Sequence, residues 1–413
     1  MTVAIDALEE LARPEHRGDP YPFLHWLRDN DPVHRTGAGF YLISNYDDVF
    51  YTMQHTGTAF TVPDEAAMAA NIPPEKRDHP SITKQLAAFA AKNMPHYTRL
   101  RSVMARDMTA ARVQNLRPRI TEHLGHILDG IAPQLAAGEV VDLHTEVSTP
   151  LTQFVFAERV GVPAEDRVWI ADTIALMMQA LVTTSEQVVL AADEASDQVE
   201  EYFREHIAER RRAPQDDMIS RLVKVHDSYA PDDDRLLIAV LWIMWMTGYE
   251  STIAGIDRGM QAFLVHTGYR DWLGDDESRV QSFVEETLRH DGVVLYTPIP
   301  RIALDDVDMA DTTIPAGSSV RMLLASANRD PHVFPEPDTF DPTRNTHRML
   351  NMGYGMFHCS GAALGRAEMA ITLTGLQSRF PTLTTAGDAT WSDIIETRCV
   401  ERLPARLAGA PAH

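Results

Sequence analysis

Cysteine is nearly absent from this sequence, with Cys359 and Cys399 the two examples in 413 residues. Two thiols cannot build a disulfide framework, so the expectation is a soluble cytoplasmic protein that keeps them reduced. Positive charge is also in deficit. There are 37 Lys and Arg against 59 Asp and Glu, a formal net charge of -22. That balance argues against nucleic acid, or an anionic membrane, held on a basic face. Long apolar runs are missing too. The longest, Leu236 to Met246, falls short of the roughly 20 residues that a bilayer span needs. The opening MTVAIDALEELARPEHRGDP lacks the basic head and apolar stretch of a secretory signal. No internal repeat or low-complexity segment is visible.

What is present is an apolar content of 44%, ample for a large core. The pattern predicts a turn at Asp19–Pro22, then an amphipathic helix through Trp26 and Leu27. Short strands are expected near Pro32–His34 and over Phe40–Tyr46. The stretch Thr61–Pro95 reads as a long loop with short helices, a place where function often resides. From Tyr97 to about Leu264 apolar residues recur at helical spacing, for example Leu116, Ile120, Leu124 and Ile127. Helix continues through Val280–His290. After Gly292, β-branched residues, prolines and glycines predict a small sheet. A helix from about Ala362 and a short β-rich tail complete the chain. The fold class is therefore mainly α with a minor β part. One domain over 1–413 is expected, β-rich near 30–60 and 293–345, helical near 97–292 and 359–380.

The segment NMGYGMFHCSGAALGR, residues 351–366, sets Cys359 among Gly353, Gly355 and Gly361 just ahead of a helix. Helix starts carry unpaired N–H groups and partial positive charge, which favour a thiolate. Such a sulfur is a nucleophile, a metal ligand, or simply a packed structural cysteine. Upstream, EETLR places Glu286 and Arg289 three apart on a helix, a surface ion pair or part of something larger. In LWIMWMTGYESTIAGI, residues 241–256, Glu250 interrupts an apolar helix, at a cost unless it is paired, wet or turned to solvent. Gly248 leaves a notch beside it, and Ser251 and Thr252 can bond back to preceding carbonyls.

Taken in order and at their spacings, these stretches resemble the cytochrome P-450 family, in its soluble bacterial class. Gly353, Gly355, Cys359 and Gly361 match the haem-ligating loop, and TGYEST resembles the oxygen-binding helix. DPYPFLHWLRDNDPVHR, YTRLRSVM, PRIALDDVDMADTTIPAGSSV and ANRDPHVFPEPDTFDPTR resemble further family segments, from about Asp19 to beyond Leu403. The resemblance implies the cytochrome P-450 fold, a helical bundle around haem with small β-sheets. It implies haem b as cofactor and Cys359 as the axial thiolate and metal ligand, with Gly361 beside it. Arg101 and Arg301 occupy the family's propionate-binding positions, with Tyr97 where histidine is usual. Glu250, Ser251 and Thr252 take the proton-relay positions. Glu286, Arg289 and Arg344 are implied to form a buried charge cluster. Met178, Tyr249, Val294 and Leu295 fall at substrate-contact positions, which suggests an apolar, adaptable pocket.

Three departures stand out. Phe357 replaces the histidine two places before the cysteine, so that propionate contact is expected to be lost. Met352 replaces a phenylalanine, and Ser251 a threonine. The implied activity is insertion of one oxygen atom from O2 into an apolar small molecule, by hydroxylation or epoxidation, with no flavin or nicotinamide domain expected in this sequence. Electrons are expected from a separate ferredoxin and ferredoxin reductase, or a flavodoxin, docking on Arg99, Arg348 and Arg366. Oxidative coupling or desaturation without oxygen insertion, and non-catalytic haem binding, are the other classes the sequence allows. Substrate, regiochemistry and oligomeric state are not encoded in any of these motifs.

Overall fold

In the computed structural model, which describes residues 6–70, 72–274 and 276–409, the chain divides into two compact units. One comprises Met1–Val62, Arg117–Pro150 and Ile253–His413; the other comprises Pro63–Leu116 and Leu151–Thr252.

The first unit is organised around a five-stranded sheet in the order Val33–Arg35, Tyr41–Ile43, Ser319–Met322, Arg301–Ala303, Phe60–Thr61. Tyr41–Ile43 runs parallel to Ser319–Met322, with Tyr41 opposite Val320; Arg301 pairs antiparallel with the same Val320. The register fixes the position of Arg301. Beneath the sheet Val33, Ile43, Phe60, Val320, Met322 and Phe334 form one apolar cluster. The predicted strand over Phe40–Tyr46 is cut short. Asn45 accepts a hydrogen bond from the Asp48 amide at 2.8 Å and caps a helix, Tyr46–Gln54. An N-cap side chain satisfies an amide that the first helical turn leaves orphaned, so capping overrides β propensity here. The expected first helix is Tyr21–Asn30, and the expected post-cysteine helix is Ala362–Arg379. Gly375 lets that last helix approach Leu124, since a Cβ there would stand 2.8 Å from Leu124 Cδ2.

The second unit is helical. It holds Pro80–Ala90, Tyr97–Asp107, Arg167–Val182, Glu186–Arg212 and Met218–His226. Met68, Ile82, Leu86, Ala180 and Ala192 form its apolar cluster, so the Thr61–Pro95 stretch contributes to a core although it contains loops. The RRRAPQDD punctuation ends one helix at Arg212. Asp217, accepting from the Ser220 amide at 2.7 Å, starts the next.

One helix, Arg235–Val265, belongs to the second unit up to Thr252 and to the first from Ile253. By length and composition it is apolar enough to cross a membrane, which the shorter run Leu236–Met246 did not suggest. Yet 67% of its most apolar window is buried inside the protein, as in the core helix of a globular fold.

Candidate active site

The cysteine loop is built by its glycines. Gly353 and Gly355 have φ of +71° and +59°, where a side chain is strained. A Cβ on Gly353 would also stand 2.7 Å from the Phe357 carbonyl oxygen. The loop closes through the Cys359 amide, which donates to the Met352 carbonyl at 2.7 Å, and the helix Ala362–Arg379 starts at its end. The Cys359 side chain is exposed. An exposed thiol at a helix start, on a backbone held from within, suits a ligand bond more than core packing.

Arg301 lies in the same unit and is the most informative charge in it. It is buried, at 7% exposure. Its Nε donates to Thr56 Oγ1 at 3.0 Å, and Nη1 to the Ile299 and Pro300 carbonyls, both at 3.2 Å. Nη2 makes no hydrogen bond among the described residues, and no carboxylate there pairs with the guanidinium. Burial lowers its pKa to about 10. A buried cation without a counter-charge is costly. The anionic carboxylates of a porphyrin would supply one. The thiol and this arginine fit a haem with no change to the residues present. Phe357 meets the same guanidinium: Arg301 Cζ sits 4.5 Å from its ring centroid.

Glu286, Arg289 and Arg344 are brought together in this unit. Glu286 and Arg289 are essentially inaccessible. Arg289 grips Glu286 in a fork, Nε to Oε2 and Nη2 to Oε1, both at 2.7 Å. Arg344 Nε lies 3.5 Å from Glu286 Oε1. Arg289 Nη1 also donates to the Asn328 and Pro337 carbonyls, at 3.0 and 2.9 Å. The surface-pair alternative is excluded by burial. The cluster ties the helix Glu277–His290 to the segment 328–344 that precedes the cysteine loop.

In the second unit, Tyr97 is buried and Arg101 follows it one turn later on the helix Tyr97–Asp107. Burial pushes the Tyr97 phenol up, against the charge and hydrogen bond of Arg101. On the long helix, Thr247, Ser251 and Thr252 each donate to the carbonyl four residues back, at 2.6 Å. Glu250 is half-buried, has no hydrogen-bond partner among the described residues, and has its pKa raised by burial. It is not the solvent-facing carboxylate of an ordinary amphipathic helix.

The remaining candidates have varied surroundings. The notch at Gly248 is filled from one side: a Cβ there would stand 2.7 Å from Cε2 of Phe156, whose ring also packs edge-on against Trp245 at 4.6 Å. Leu295 is buried in the core cluster with Leu24, Leu27 and Leu323. Tyr249 is buried and hydrogen-bonded to Gln153, with its phenol pushed up to about 12, first by burial. Val294 is half-buried and bridges to Thr397. Met178 is half-buried beside the fully buried Met177. Arg366 is paired with Glu285 at 2.5 Å, while Arg348 is exposed and lies over the Tyr46 ring at 4.8 Å. Sequence reasoning missed Thr56, Gln153 and Phe156. Each meets its partner through the fold, at separations that no local pattern encodes.

Comparison with known proteins bears on all of this. The family model described as Cytochrome P450 matches residues 279–397. Cytochrome P450 BJ-3 of Bradyrhizobium diazoefficiens is 40% identical over 97% of this chain and 96% of its own length. The vitamin D(3) 25-hydroxylase of Pseudonocardia autotrophica is 33% identical, over 89% and 88%. Among solved structures, P450BioI in complex with an acyl carrier protein carrying hexadec-9Z-enoic acid superposes with a TM-score of 0.83. It is 27% identical and covers 95% of this chain and 99% of its own.

Proposed function

The chain belongs to the cytochrome P450 family, and on that premise we propose that it is a haem-thiolate monooxygenase of the cytoplasm. It inserts one oxygen atom from O2 into an apolar small molecule, with electrons from a separate ferredoxin and its reductase. The observation that carries the reading is the occurrence, in one unit, of an exposed thiol at a helix start and a buried arginine without an acidic partner.

Bound haem b supplies the dioxygen and one-electron chemistry that side chains lack. Cys359 Sγ would bind its iron, and the adjoining helix start favours the deprotonated sulfur. In the first unit, Arg301 Nη2 would hold a carboxylate of the group; in the second, Arg101 and the Tyr97 hydroxyl are donors of the same kind. Gly353 and Gly355 keep the loop in the one backbone conformation that presents the sulfur.

In the second unit, the burial of Glu250 lets its carboxyl hold a proton closer to neutral pH than an exposed one would. Ser251 Oγ donates its own hydrogen to the Thr247 carbonyl at 2.6 Å, so its lone pairs remain available to accept a proton. These two groups are the proton-handling residues. Thr252, which bonds the Gly248 carbonyl, shapes the turn they stand on. Met178 supports an apolar, adaptable substrate surface.

The substrate class follows from that surface and from relatives. The 25-hydroxylase named above and mycinamicin IV hydroxylase/epoxidase of Micromonospora griseorubida (30% identical over 86% of each chain) are named for vitamin D(3) and mycinamicin IV. Sterol-like, macrolide and terpenoid compounds are therefore the first to screen, by the spin-state change of the haem spectrum. Turnover of a hit under labelled dioxygen should place one labelled atom in the product. Unlabelled product would replace oxygen insertion with coupling or desaturation.

A further inference from the structure

We propose that Phe357 is a positioning residue for haem binding, holding the Arg301 guanidinium with its ring face. The inference rests on the haem-thiolate reading above and goes beyond it, because Phe357 stands where the family's hydrogen-bonding histidine is missing.

The guanidinium of Arg301 has a limited set of restraints. Thr56 Oγ1 fixes Nε at 3.0 Å, and two backbone carbonyls fix Nη1 at 3.2 Å. Together they occupy Nε and Nη1. The guanidinium Cζ lies over the Phe357 ring, 4.5 Å from the centroid. That distance is within the range where a ring quadrupole attracts a cation, and the attraction grows as water is excluded. Arg301 is buried, so water is excluded. The ring therefore partly offsets the charge of a cation that has no acidic partner among the described residues. The group left over is Nη2, with two N–H donors and no protein acceptor among the described residues.

A histidine at 357 would offer its own donor to an anion. Phenylalanine offers none, so the role passes to Arg301, and Phe357 acts through it. The backbone conformation supports the same assignment. The Phe357 carbonyl lies 2.7 Å from where a Gly353 Cβ would be, and the Phe357 amide donates to the Tyr354 carbonyl at 3.1 Å. The ring is thus carried on a hydrogen-bonded turn, two residues before the sulfur.

The test is a double-mutant cycle on haem retention. Wild type, Phe357→Leu, Phe357→Tyr, Arg301→Leu and the Phe357→Leu/Arg301→Leu double variant are loaded with haemin. Haem loss to an excess of apomyoglobin is then timed. Phe357→Leu keeps an apolar side chain and removes the ring face. It should speed haem loss by about 3- to 10-fold, the range a partly desolvated cation–π contact spans. Phe357→Tyr keeps the ring and should match wild type, which also separates the effect from general damage to the loop. With Arg301 already replaced by leucine, Phe357→Leu should change nothing further. An equal acceleration in both arginine backgrounds, or tyrosine behaving like leucine, overturns the proposal while leaving the function intact. Wild type that holds no haem through its thiolate overturns both.

Discussion

Replacing Glu286 with glutamine removes one charge from a group that has no contact with water. In the native protein Glu286 receives two charge-assisted bonds from Arg289 at 2.7 Å and the Asp341 amide at 2.9 Å, with Arg344 at 3.5 Å. Glutamine can still accept from one or two of these donors. It cannot balance two guanidinium groups. Removing one partner of a buried ion pair costs about 3–5 kcal/mol. Arg289 keeps its Asn328 and Pro337 carbonyl acceptors and lies over the Phe334 ring at 5.4 Å, so the low end, about 3 kcal/mol, applies. An unfolding entropy of about 2.1 cal/mol/K per residue gives roughly 0.9 kcal/mol/K for a chain of 413 residues. The expected fall in Tm is then about 3–4 °C at fixed scan rate. Arg289→Met should cost at least as much. The double variant, Glu286→Gln with Arg289→Met, should cost clearly less than the two together, because it leaves one fewer unbalanced charge. Singles within about 1 °C of wild type, or a double variant equal to their sum, would refute the claim that the pair matters through mutual charge balance.

Glu250 gives a prediction of opposite sign. Its folded pKa is raised by burial, so its charged form is disfavoured in the native state, and that penalty is present above the folded pKa and absent below the unfolded one. Glu250→Gln should therefore stabilise the protein at neutral pH, with the gain fading as the pH falls toward the ordinary carboxylate range, while product formed per reductant consumed drops. Asp291 behaves in reverse: burial alone would raise its pKa, but Arg398 and Arg258 hold it well below the usual carboxylate range. Its contribution is complete above the unfolded pKa and is lost as pH falls through the depressed folded value, so urea midpoints of wild type and Asp291→Asn should differ most at neutral pH and converge only in strong acid. Gly248→Ala forces a Cβ to within 2.7 Å of the Phe156 ring and should cost about 1–3 kcal/mol by chemical denaturation, with Phe156→Leu restoring most of it.

Much of the fold was legible because long helices announce themselves by periodicity. The stretch from Tyr97 to Leu264 resolves into helices, and RRRAPQDD marks a true break between two of them. The strand boundaries were less readable. Tyr41–Ile43 was overextended, since nothing in FYLISNY says that Asn45 will cap a helix. The site divides along the same line. Cys359 and its glycines are adjacent in sequence, and Glu286 and Arg289 are one helical turn apart, so spacing marked them as candidates and the family resemblance gave them roles. Arg301 needs Thr56 and Phe357 from distant segments, and Gly248 meets Phe156 from another helix. Leu295 and Tyr249 look alike as apolar candidates in sequence. Only packing shows that one enters the core cluster and the other bonds Gln153.

The central claim is that Cys359 binds an iron porphyrin through its sulfur. The protein, loaded with haemin, reduced and exposed to carbon monoxide, should show the red-shifted Soret band of a thiolate-ligated haem, and Cys359→Ala should lose it. A wild-type spectrum of the imidazole-ligated or unligated kind, unchanged in Cys359→Ala, would contradict it.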